Sequence, residues 1–236
     1  MNHSMDFPRL SAYLAGLAAN NDRAWFEANR AEFQALRDDF HGFVGEVIAG
    51  VAEWDDSVRW VDPKDCVYRI YRDVRFSNDK TSYKTTFSAL IREGGRRGHG
   101  PVYYLQVDQH GTLMAGGGVW MPLPEQLALI RAHVAEHPER LKRVLREPAF
   151  TSAFGGLWGE HTLKRPPAGY RADDPMIDTI KLKSFIVERE RDASGAADDI
   201  RAWITETFRT MHPFILWLRD ALAGAEKSGG RRGSAP

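Results

Sequence analysis

An α+β class follows from three features of the chain: apolar residues at helical spacing in its first and last quarters, a period of two through its middle, and hairpin-length turns between the alternating runs. Leu10, Tyr13, Leu14 and Leu17 lie on one helical face, and the capping residues Asn20, Asn21 and Asp22 interrupt that first helix. A longer helix is predicted to about residue 53, its buried stripe running from Phe26 and Phe33 through Phe40, Phe43 and Val47 to Val51. Trp25, Trp54 and Trp60 read as core and rim packing, not as stacking platforms for a base or ligand.

From Val67 the period changes to two. Residues 67–76, 85–92, 102–109 and 112–119 read as strands of an antiparallel meander, with 182–189 as a fifth. GGRRGHG at 94–100 is a loop whose tip carries Arg96, Arg97 and His99 to solvent, and QHG at 109–111 is a tight turn. Pro124 suits the first position of a helix that buries Leu127, Ile130 and Val134 and stops before Pro138. A short helix at 139–146 is ended by Pro148, and 155–174 is irregular. Residues 196–223 form a closing amphipathic helix with Ile200, Ile204, Phe208, Met211 and Leu218 inside, kinked at Pro213. The expectation is therefore a single α+β domain over 1–226: an antiparallel sheet of about five strands packed against N-terminal helices and a long C-terminal helix. The tail 227–236 is disordered by composition.

A chain of 236 residues buries roughly 70% of its unfolded surface on folding, enough for a substantial core. Its 43% hydrophobic and 27% charged residues exclude intrinsic disorder, and no window resembles a membrane span or a secretory leader. Lys plus Arg and Asp plus Glu stand at 32 each, so no net field draws the molecule onto nucleic acid or an acidic membrane, and any anion site has to be local. One cysteine, Cys66, excludes an intrachain disulfide framework and a multi-cysteine zinc site, which suits the reducing cytoplasm.

Two short motifs invite a catalytic reading and lack its context. HVAEH at 133–137 matches the H-x-x-E-H metal pattern, but His137 precedes Pro138, a position biased out of the helix that would aim both imidazoles at one ion. Ser77 and Lys80 spell S-x-x-K, the spacing of a lysine-activated serine, yet lie in turn composition and not at the start of a buried helix. No P-loop, dinucleotide-binding or nucleophile-elbow glycine pattern occurs, and neither a metal nor a cofactor is expected.

The stretch RIYRDVRFSNDKTSYK at 69–84 concentrates charge, aromatics and turn residues. In a regular strand, Tyr68, Ile70 and Arg72 share one face while Arg69, Tyr71, Asp73 and Arg75 share the other. Arg72 then points toward the core and requires a buried ion pair. Asp73 neutralises one exposed arginine and leaves the other, so Arg69, Arg75, Lys80 and Lys84 are candidate anion-binding residues. Asp73 is a candidate base, and Lys80 or Tyr83 a candidate acid if neighbouring cations lower its pKa. A salt-bridged sheet face with no ligand is the competing reading.

These residues resemble a bacterial and fungal family of about 230 residues, the domain of unknown function 2461 type, marked by R-x-x-R-D-x-R-F followed by D or N, K, two arbitrary residues and Y. Arg69, Arg72, Asp73, Arg75, Phe76, Asp79, Lys80 and Tyr83 fill that pattern here, and NNDRAWFEANR, GGGVWMP and LKSFIVERE resemble other parts of the family. The resemblance implies one domain and lends no catalytic residue. The sequence thus points to a cytoplasmic protein that binds a phosphate- or carboxylate-bearing small molecule through residues 69–84, with an enzymatic role and the oligomeric state left open. The alternatives are a nucleic-acid or protein interaction module, against which neutral charge argues, and a purely structural network.

Overall fold

In the computed structural model of the chain, residues 4–72 and 81–229 are described. The Asp6 carboxylate accepts a hydrogen bond from the Arg9 amide and Pro8 fills an early position, so α1 (Phe7–Ala19) begins there. Asp22 caps α2 (Arg23–Ala28) in the same way through the amide of Trp25. The Asn29 amide group then turns back onto the Trp25 carbonyl at 2.8 Å, which ends α2 and separates it from α3 (Arg30–Val51). The one long helix expected to residue 53 is therefore two. Asp62 and Pro63 start the single turn α4 (Pro63–Cys66).

Three strands follow, β1 (Thr86–Ile91), β2 (Val102–Asp108) and β3 (Thr112–Val119). Next come the helices α5 (Pro124–Glu136), α6 (Pro138–Leu145), α7 (Pro148–Phe154) and α8 (Ile177–Ile180), the strand β4 (Phe185–Asp192) and the closing helix α9 (Ala197–Gly229). The sheet is antiparallel in the order β1-β2-β3-β4, with Phe87 opposite Val107 and Ala89 opposite Leu105. Its strand count among the described residues is four, not five. Residues 67–72 run antiparallel beside residues 82–89 but join them only through isolated bridges, Val67 to Ala89 and Tyr71 to Tyr83. Four steps on one side span six on the other, a bulge of two extra residues that interrupts the ladder. The rest of the expected strand, 73–76, lies outside the described residues.

Three further boundaries differ from expectation. Pro148 opens α7 instead of only closing the helix before it, since proline is well suited to a first helical position. The last strand begins at Phe185, not 182, because residues 181–183 pair antiparallel with residues 161–163 instead, while the Arg131 guanidinium takes the carbonyls of Ile180 and Leu182 at 2.7 and 3.1 Å. The backbone of α9 runs through Pro213 and stays helical to Gly229, into the predicted tail, whose residues 230–236 lie outside the described residues.

Contacts divide the chain into two units. The first holds residues 1–99, 103–115 and 189–209. Its core joins Phe7, Leu10, Leu14 and Leu17 of α1 to Leu36, Phe40, Phe43 and Val47 of α3, all buried. Phe40 meets Phe87 of β1 edge-on at 5.4 Å, and truncating a ring buried like Phe40 costs about 3–5 kcal/mol. Tyr103 is fully buried and donates its hydroxyl hydrogen bond to the buried Asp55 carboxylate at 2.8 Å. The second unit holds residues 100–102, 116–188 and 210–236. Within it a Cβ at Gly116 would lie 2.1 Å from the Val187 carbonyl oxygen, so this part of β3 tolerates only glycine. Phe150 packs edge-on against Phe214, which stacks on Trp217. No helix among the described residues is long and apolar enough to cross a membrane.

Candidate functional site

The bulge beside β1 is held from α2's approach. Asn21 uses its side-chain amide as a backbone mimic: Nδ2 donates to the Tyr83 carbonyl and Oδ1 accepts from the Tyr83 amide, each at 3.0 Å. Phe26 stacks on the Tyr83 ring with centroids 4.2 Å apart, and the Tyr71 ring packs on both. Tyr83 is therefore fixed by its backbone and its ring together. Burial, Tyr71 and Glu27 hold its hydroxyl above the ordinary tyrosine range, away from what a proton donor near neutrality needs.

A second support comes from the loop after β1. Arg92 donates through Nε to the Gly95 carbonyl and through Nη2 to that of Arg96, folding residues 95–97 into one tight turn. Arg96 in turn reaches the carbonyls of Asp65 and Lys64 at 3.0 and 3.4 Å, the free end of α4. Gly95 makes the approach possible, since a Cβ there would stand 2.7 Å from the Asp65 carbonyl oxygen. The loop expected as a solvated hairpin tip does keep Arg96, Arg97 and His99 exposed, while its buried Gly95 and the Arg96 hydrogen bonds dock it on α4.

Between α3, residues 67–70, the start of β1 and this loop lies a cleft of about 190 Å³. Arg37 and His41 line it from α3, Arg69 from the extended segment and Arg96 from the loop. Phe33, Tyr68 and Phe87 supply aromatic walls. Beside it the Lys84 ammonium stands 4.8 Å over the Tyr68 ring, with the Arg96 guanidinium 5.8 Å from the same ring. Arg37 pairs with Asp38 at 3.0 Å. Among the described residues Arg69 makes no side-chain hydrogen bond or ion pair, and no carboxylate meets Lys84.

Two groups respond to this concentration of charge. Burial first, then Arg69, Arg96 and Arg72, lower the pKa of Lys84, which makes its charged form dearer to hold. Burial, Arg37 and Lys64 likewise lower that of His41, against the smaller opposite pulls of Asp38 and Asp62. Such a site favours whatever brings negative charge to it. Cys66, buried close by, has its thiol pushed up to about 12 by burial and is not a nucleophile.

Of the residues singled out from sequence, Arg69 lines the cleft, Lys84 borders it and Tyr83 packs behind it. Arg72 is half-buried, with its Nη1 donating to the Thr81 hydroxyl at 2.9 Å. Asp73, Arg75, Ser77, Asp79 and Lys80 lie outside the described residues. Arg37 and His41 are charged or titratable cleft residues that sequence reasoning missed, and Arg96, read there as part of a solvated loop tip, also lines the cleft. One signal was present: Arg37 and His41 stand four apart on the polar side of an otherwise well-marked amphipathic helix. In the second unit His137 has left helical geometry at the end of α5, as its proline neighbour requires, and its ring packs on His133 at 4.9 Å. Among the described residues no three His, Cys, Asp or Glu side chains converge as metal ligands.

These features define an α+β protein with a cationic, aromatic-walled cleft beside a bulged sheet edge. The chain belongs to the family described as conserved hypothetical protein (DUF2461), whose match spans residues 9–217. No match is found among curated proteins or among solved structures.

Proposed function

We propose that the protein binds an anionic small molecule in the cleft formed by Arg37, His41, Arg69 and Arg96. The observation that carries this reading is the half-buried Lys84 ammonium surrounded by Arg69, Arg72 and Arg96, next to an Arg69 guanidinium with no acidic partner among the described residues. Like charges held together raise the free energy of the empty site, and an incoming anion relieves that repulsion. The competing reading, a salt-bridged face that needs no ligand, requires carboxylates opposite these cations, and none lines the cleft among the described residues. The proposal concerns binding and assigns no reaction.

A thermal-shift series with phosphate, citrate and succinate tests it. Ligand at about 100 times its dissociation constant adds about 2.7 kcal/mol of stability, so the midpoint should rise for at least one anion and fall back in Arg69→Ala. A rise that survives unchanged in both Arg69→Ala and Lys84→Ala is a general salt effect and defeats the proposal, as does the absence of any rise.

A further inference from the structure

We infer that the cleft takes a small phosphate monoester as its dianion and that His41 is the residue selecting that charge state. This rests on the anion-binding reading above and narrows it by charge, size and proton balance. Arg37 is paired with Asp38, which leaves Arg69 and Arg96 on a wall that carries no acid among the described residues, with the Lys84 ammonium beside them. A dianion offsets more of this positive charge than a monocarboxylate does. Guanidinium forks and an imidazole N–H also suit a tetrahedral oxyanion, which accepts from several directions at once.

Size restricts the organic part. At about 190 Å³ the cleft holds about six water volumes of ~30 Å³ each, below the ~300–1,000 Å³ of sites that enclose drug-sized ligands. A phosphate with a short alcohol fits against Phe33 and Tyr68, and a nucleoside is left outside.

His41 supplies the selectivity because its charge depends on the occupant. The charged groups facing it are Arg37 and Asp38 on its own helix, Asp62 and Lys64 at the start of α4, and Arg69 and Arg96 across the cleft. In the empty site the cations and burial keep the imidazole neutral at neutral pH. A dianion reverses the local potential, so the ring takes up a proton and its N–H becomes a charge-assisted donor. Binding is then coupled to proton uptake, and the affinity for an anion that does not itself titrate rises as the pH falls from neutrality. Lys84 responds in the same direction but at alkaline pH, which separates the two groups.

Calorimetry on the full chain, in two buffers of different ionisation enthalpy, reads both affinity and protons. Glycerol phosphate should bind about tenfold more tightly than acetate, and AMP should gain nothing over glycerol phosphate. Sulfate, doubly charged throughout, should bind with net proton uptake near neutrality; His41→Gln should weaken it several-fold, abolish the uptake and flatten its pH profile. Acetate binding as tightly as glycerol phosphate, AMP binding more tightly than it, or uptake unchanged in His41→Gln each overturns the inference. If Arg69→Ala still removes whatever anion binds, the general proposal survives that failure. If wild-type protein binds none of these probes, both fall.

Discussion

Asn21 shows how much of the site hangs on one short side chain. It satisfies the amide and the carbonyl of Tyr83, which face away from residues 67–72 because the hydrogen bonds beside that pair run from the Arg72 amide to the Ser82 carbonyl and from the Lys84 amide to the Ile70 carbonyl. Asn21→Ala leaves two part-buried backbone groups unpaired and should destabilise the protein by about 1–3 kcal/mol, read as a lower urea midpoint with unchanged slope. Asn21 was legible in the sequence only as a cap residue. Its actual partner is 62 positions away, and neither periodicity nor local composition carries that information. The same holds for Arg72: the strand pattern turned it inward, and it is indeed half-buried, but its hydrogen bond to Thr81 depends on how the chain returns beside it.

At the level of elements, the bulge and the docked loop shape the cleft together. The bulge falls at residues 84–88 and so turns Thr86 and Phe87 toward the cleft, while the loop delivers Arg96 from the other side. Gly95 is the point where the loop meets α4, in left-handed geometry at φ +56. Gly95→Ala therefore adds backbone strain and a clash with Asp65, expected to cost about 1–3 kcal/mol and to lift Arg96 out of position. The measurement is a pair: a lowered thermal midpoint and a smaller phosphate-induced rise than in wild type. If the stability falls while the rise stays the same, Arg96 takes no part in binding. The sequence marked this stretch as a loop correctly, because glycine density reports backbone freedom, but glycine density does not tell a mobile tip from one that needs room for a close approach.

For the molecule as a whole, balanced charge and a buried polar anchor matter more than any surface ion pair. The bridges of Arg9 with Glu32 and of Arg140 with Asp220 are both well exposed, and each contributes at most about 1 kcal/mol. Tyr103 differs, for its hydroxyl donates to Oδ2 of the buried Asp55, whose Oδ1 accepts from the Ser57 amide and hydroxyl, and Trp54 and Phe208 pack on its ring. Tyr103→Phe keeps the ring and removes that donor, so the variant should lose about 1–3 kcal/mol by chemical denaturation while the far-ultraviolet spectrum of the native state is unchanged. A loss below a few tenths would mean that Asp55 is satisfied without Tyr103.

The amino-acid sequence by itself determined the α+β class, the helical stripes of α1 and α3, three of the four strands nearly to their ends, the proline-led start of α5, and the neutral overall charge that makes any anion site local. These are properties of periodicity, capping and composition, which act over a few residues or sum over all of them. Only the tertiary structure decided that residues 67–72 meet the sheet across a bulge, that the glycine loop docks on α4, and that Arg37, His41, Arg69 and Arg96 face one cleft. Each of those depends on contacts between segments tens of positions apart, where packing and unpaired backbone groups, not local preference, set the outcome.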